Sequence, residues 1–195
     1  MHLQQSPLDK SCGLTCVLML AMLADGLPRD QAVAVAWTAR PKLKKLWAVA
    51  KAGYFRGTSP ASLVRHLEAV CEGGQVNQLR GSHSELFALV AVEVERDNVV
   101  LLLIGETPKA RLHWILVTGA EYVVQGAATA AKSRRDGVAA LLGLDPESPP
   151  PVCSAFNWRM PRRKGNAERQ ATCSTTNGAE EYRELQRAVV LRRAD

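Results

Sequence analysis

The chain is poor in aromatic residues, 5% of 195, and lacks the features that would tie it to a membrane, a nucleic acid or a nucleotide. No stretch supplies the roughly 20 apolar residues that a spanning helix needs. The long apolar run at residues 12–24 is preceded by Lys10 beside Asp9, not by the basic cluster of a signal peptide, so it is expected to stay in the folded protein. There is no zinc finger, RNA-binding aromatic motif, continuous basic helix or ATP-binding motif. The formal charge of +6 is therefore read as that of an ordinary basic enzyme, with no nucleic-acid partner expected. Repeats and a clear domain linker are also missing, which favours one domain over residues 1–195.

Cysteine is scarce in the same informative way. Cys12, Cys16, Cys71, Cys153 and Cys173 are odd in number and scattered, which is no disulfide framework for a chain this long and points to a reducing compartment. Cys153 and Cys173 flank a basic loop and are the one pair that could join after export. Cys12 and Cys16 without a second ligand pair nearby make half a zinc site, so no metal and no other cofactor is expected.

What is present is a helix that must be buried on every side. From Cys12 to Ala24 almost every residue is apolar around the whole helical wheel. Asp9 and Ser11 stand where N-caps belong, and Gly26 and Pro28 follow in the order that ends a helix. Cys12 thus falls at the helix N-terminus, where unpaired N–H groups and the positive end of the dipole favour a thiolate. A hundred residues on, His113-Trp114-Ile115-Leu116-Val117-Thr118-Gly119 has a strand pattern with a histidine at its start. A cysteine on a helix and a distant strand histidine form the nucleophile and base of thiol hydrolases.

A glutamine shortly before Asp9-x-x-Cys12-Gly13, a buried helix, Gly57-Thr58-Ser59-x-x-x-Leu63, an apolar strand and the His113 segment together resemble the peptidase C39-like branch of the papain-like cysteine peptidases, over residues 4–125. Gln5-Ser6-Pro7 and Cys12-Gly13-Leu14 are also similar to phytochelatin synthases. The resemblance implies a papain-like α+β fold, a Cys12 nucleophile, a His113 base and a glutamine, taken as Gln5, at the oxyanion hole. It further implies an Asp or Asn that orients the histidine from the end of the next strand. The neighbourhood of Thr129, where that residue is expected, is alanine-rich and holds neither. Asn157, in Phe156-Asn157-Trp158, is favoured for the role, with Asp136 and Gln125 as alternatives.

Between these landmarks, helices are expected at 30–39, 43–51, 60–70 and 82–95, the last opened by the capping box Ser82-x-x-Glu85. His66 falls within the third of these as a structural histidine. Trp37, Trp47, Tyr54 and Phe55 are expected in the core or a cleft wall. Strands are expected at 75–79, 98–104 and 113–118, the last turning at Gly119-Ala120 into a hairpin over 122–125. Residues 126–151, rich in alanine, charge and then proline, are expected to be an insertion or flexible loop. A strand at 152–160 and a terminal helix at 180–191 complete the reading. The fold class is α+β: a helical N-terminal part, with the cysteine helix packed on a C-terminal antiparallel sheet. The expected activity is that of a free-standing cysteine peptidase or amidase acting on a peptide or protein, of the kind found as a bacterial maturation protease or delivered effector toxin. It would be cytoplasmic or exported without a signal peptide. A transferase passing the same acyl group to an amine or thiol, and a non-catalytic peptide-binding module, are the alternatives.

Overall fold

A computed structural model describes residues 2–5, 9–71, 73–105, 112–122, 137–151, 155–162, 172–175 and 180–192. The expected buried helix is α1, Cys12–Ala24, with every residue from Cys12 to Met22 buried. It is followed by α2 (Arg29–Val33), α3 (Pro41–Ala50), a 3-10 turn (Lys51–Gly53) and α4 (Pro60–Val70). α2 stops at Val33, short of the expected 39, and Pro41 begins α3, where its fixed φ and missing N–H are tolerated. Then come β1 (Gln75–Leu79), α5 (His83–Glu95) with both halves of its capping box formed, β2 (Val99–Gly105) and β3 (His113–Tyr122). The chain finishes with β4 (Val138–Leu144), β5 (Trp158–Pro161), β6 (Thr172–Thr175), β7 (Glu180–Tyr182) and β8 (Glu184–Arg192).

Among the described residues the eight strands form one antiparallel sheet in the order β1-β8-β2-β3-β4-β5-β6-β7. Its two faces are covered unequally. Leu101, Leu103, Trp114, Leu116 and Val189 point into a core shared with α1 through α4. Val100, Leu102, Ile104, Ile115, Val117 and Val190 point the other way, under α5. Strands covered on both faces lose the polar alternation of a one-sided sheet, which is why Val99 to Ile104 is an unbroken apolar run. The α+β class therefore stands. No helix among the described residues is long and apolar enough to cross a membrane.

Three expectations are corrected here. Residues 180–191 are not a helix. Their good helix formers and the spacing of Tyr182, Leu185 and Val189 mimic one, but β8 is drawn between β1 and β2, and pairing on both edges outweighs local propensity. β3 runs straight through Gly119 and Ala120 with a register shift against β4, so no hairpin turns there. Part of the supposed insertion, Val138–Leu144, is a strand between β3 and β5. The aromatic expectation divides: Trp47, Tyr54 and Phe55 form an edge-to-face series with centroids 5.7 and 5.0 Å apart, yet Phe55 is 71% and Trp37 86% exposed. His66 is buried in α4, and that burial pulls its pKa down to about 4.

Because β2 is covered on both faces and paired on both edges, truncation at its centre should be costly. Leu101→Ala, at a fully buried side chain, is expected to lower stability by about 2–5 kcal/mol, read as a lower urea midpoint with an unchanged m-value.

Candidate active site

The N-terminus of α1 is built by the residues before it. Asp9 is buried, and its Oδ1 accepts from the Ser11 N–H at 2.9 Å and the Ser11 hydroxyl at 2.6 Å, while Tyr54 donates to Oδ2 at 3.2 Å. Ser11 is the N-cap, but its hydroxyl is spent on Asp9 and no side chain caps the first turn. The leading amides of α1, beginning at Cys12, are left without a side-chain acceptor. Gly13 is required by packing: a Cβ there would lie 2.6 Å from Cβ of Thr58. The Gly57-Thr58 segment is held against the helix from the other side by Trp114, whose Nε1 donates to the Thr58 carbonyl at 2.7 Å. Cys16, one turn on, is fully buried and its Sγ donates to the Trp114 carbonyl at 3.3 Å. Burial, then the neighbouring Cys12 and Asp145, push its thiol well up, so it is a packing residue beneath the site.

These contacts dock the start of α1 against the start of β3 and bring Cys12 to His113. The His113 ring is 4% exposed. Its Nε2 is 2.7 Å from Oδ1 of Asp145 and its Nδ1, which has no hydrogen-bond partner among the described residues, is 3.3 Å from Oε1 of Glu147, with Cys12 close enough to act on the ring electrostatically. Burial opposes a charge on this ring, but the hydrogen bond it donates to Asp145 and the electrostatic pull of Asp145 and Cys12 raise its pKa to about 10. The imidazole is therefore protonated at neutral pH.

Asp145 directly follows β4 and is the residue that sequence reasoning missed. Burial works against its charge, yet the His113 ring, the Glu147 N–H at 2.7 Å and the Ser148 hydroxyl at 2.9 Å hold its carboxyl below the usual range. Asn157 is correspondingly displaced from its expected role. Its Oδ1 accepts from the Asp145 N–H at 2.7 Å, and its Nδ2 donates to the carbonyls of Asp145 and Pro149 at 2.9 and 3.0 Å. The group on the imidazole is Asp145, and Asn157 fixes the backbone that presents it. His2 adds a second brace, its Nε2 donating to the Asp145 carbonyl at 2.8 Å.

Gln5 lies between the two chain segments that carry the pair. Its N–H donates to the Pro146 carbonyl at 2.9 Å and its side-chain Nε2 to the Asp9 carbonyl at 3.3 Å, leaving Oε1 buried without a partner. Gln4 is exposed and shares with Gln5 a small cavity beside Asp9 and Ser11. Gln125, Asp136 and Cys153 lie outside the described residues, as does the side chain of Cys173. Among the described residues no three His, Cys, Asp or Glu side chains are grouped to hold a metal. A cavity of about 1100 Å³ is lined by Leu20, Leu23 and Thr118 near the far end of α1 and by His2 and Leu144 beside the Asp145 turn. Neither Cys12 nor His113 lines it.

No family model, no curated protein and no solved structure matches the chain.

The proton balance of the site can be tested directly. Asp145→Asn removes the charge that holds the proton on His113, and the ring pKa is expected to fall from about 10 towards the ordinary 6.5, followed by NMR of the imidazole across a pH series. The sign for stability follows. His113, with a raised pKa, stabilises the fold fully below 6.5 and less as pH rises through about 10. Asp145, with a lowered pKa, loses its contribution as pH falls through that depressed value. Thermal unfolding of the Asp145→Asn variant should accordingly depend less on pH at both ends.

Proposed function

We propose that the protein is a thiol hydrolase of papain-like architecture, acting on a peptide or amide bond, with Cys12 as nucleophile, His113 as acid and base, and Asp145 as the residue that orients His113. The observation that carries this reading is the buried histidine held between a carboxylate on one nitrogen and a helix-terminal cysteine on its other side. A structural histidine in a core needs no charged partner and resembles His66, neutral and pulled down by burial. His113 is instead kept cationic beside a sulfur, the environment in which a thiol attacks as its thiolate.

In this mechanism the Cys12 sulfur attacks the carbonyl carbon, forming the C–S bond. The carbonyl electrons move to oxygen, which is met by the uncapped amides at the start of α1 and by the Gln5 side chain once its amide leaves Asp9. As the oxyanion collapses the C–N bond breaks, and Nδ1 of His113 gives its proton to the departing amine. Water then adds to the thioester, losing its proton to Nδ1, and C–S cleavage releases the acid and restores the pair. Asp145 remains ionised throughout and holds the ring in register.

Cys12→Ala and His113→Ala are each expected to abolish cleavage of a fluorogenic peptide library. Asp145→Ala should lower kcat by about 10²–10⁴. Iodoacetamide should modify Cys12 ahead of Cys71, whose thiol burial pushes up to about 11. Equal labelling of the two, or cleavage that survives Cys12→Ala, would overturn the assignment.

A further inference from the structure

Glu147 has no part in the acyl-transfer steps, yet its carboxylate stands on the catalytic ring, 3.3 Å from Nδ1 of His113. The side chains of His113 and Asp145 are 6% and 10% exposed, whereas that of Glu147 is 52% exposed. The backbone that carries it is pinned. The Glu147 N–H donates to Asp145 at 2.7 Å, and the preceding Pro146 has its φ fixed and its carbonyl held by the Gln5 N–H at 2.9 Å. Among the described residues, Asp9 and Asp145 are further carboxylates near the site, and both are buried and satisfied internally. Glu147 is thus a carboxylate presented to solvent from a fixed position beside the reacting atoms.

Resting on the thiol-hydrolase reading, we propose that Glu147 is a specificity-determining residue that selects substrates carrying a cationic group, an ammonium or guanidinium, next to the attacked carbonyl. The selection comes from an exchange of partners. At rest the carboxylate faces a protonated imidazole. When Nδ1 gives its proton to the leaving amine, the ring loses its charge and Glu147 loses its counter-ion. A substrate cation at that position pairs with the carboxylate on binding and takes over as its counter-ion once the proton has moved, so the preference is read even by a reagent that takes no proton from the ring. An acidic group at the same place meets repulsion throughout.

The test uses the full chain and three peptidyl acyloxymethyl ketones that differ only in a lysine, norleucine or glutamate beside the warhead, with the second-order rate of Cys12 modification read by intact mass. The lysyl reagent is expected to react about two- to five-fold faster than the norleucyl one, the range for a partly exposed ion pair, and the glutamyl reagent more slowly. Glu147→Gln should bring the three rates together, and Glu147→Lys should reverse their order. Any change in the acidity of His113 moves all three reagents alike, so the ratio isolates recognition. A lysyl preference that survives Glu147→Gln, or no preference in the unmodified protein, overturns the proposal. Failure of the parent reading has a different signature: iodoacetamide modification of Cys12 that is unchanged by His113→Ala.

Discussion

The site depends on a carboxylate that the fold has taken out of water. Burying the charge of Asp145 would be prohibitive without compensation, and the compensation comes from four directions: the His113 ring, the Glu147 amide and the Ser148 hydroxyl on the carboxylate, with Asn157 gripping the backbone on either side of it. Glu147 and Ser148 belong to the turn that carries Asp145, while His113 and Asn157 arrive from elsewhere in the chain. The end of β4, the approach to β5, the start of β3 and, through His2, the segment before α1 are all fixed relative to one another by satisfying this one group. A histidine oriented by such a hub cannot drift between rotamers without leaving a buried charge unpaired.

The other half of the arrangement is apolar. α1 is enclosed by α2, α4 and the sheet, so its axial position and rotation are set by packing on all sides. The contact between Gly13 and Thr58 fixes how closely the helix start approaches the loop before α4, and Trp114 joins that loop to the strand beginning at His113. The positions of sulfur and imidazole are therefore properties of the core. The polar groups before the helix, Asp9 with Ser11 and Tyr54, keep the first turn free of a side-chain cap.

Much of this is legible in the sequence. An apolar wheel with a cysteine at its head, a capping box at Ser82 and an unbroken apolar strand at residue 99 are local signals, and local interactions decide them. Asp145, whose carboxylate meets the His113 ring, does directly follow the next described strand after the histidine. Distance along the chain hides it where strand order would not: 32 residues separate Asp145 from His113, and the alanine-rich and charged segment between them disguises Val138–Leu144 as loop. Asn157, favoured from its place beside a tryptophan, is buried near the site but sits one hydrogen bond further from the ring than expected. Glu147 gives no signal, since an acid after Asp-Pro in a proline-rich stretch looks like any surface turn. The helical reading of 180–191 fails for a different reason. Whether that segment coils or extends is settled by two waiting strand edges more than a hundred and about ninety residues earlier, and nothing in its own composition records them.

That late strand has a bearing on how the molecule is made. β8 separates β1 from β2, so until residues 184–192 are in place the backbone groups of those two strands face a gap one strand wide. Closing it requires contacts between segments far apart along the chain, a slow step for any topology, and open ribbon edges are where other chains add on. His113 begins β3, which pairs with β2, so the strand that carries the imidazole lies one place from the gap that β8 fills.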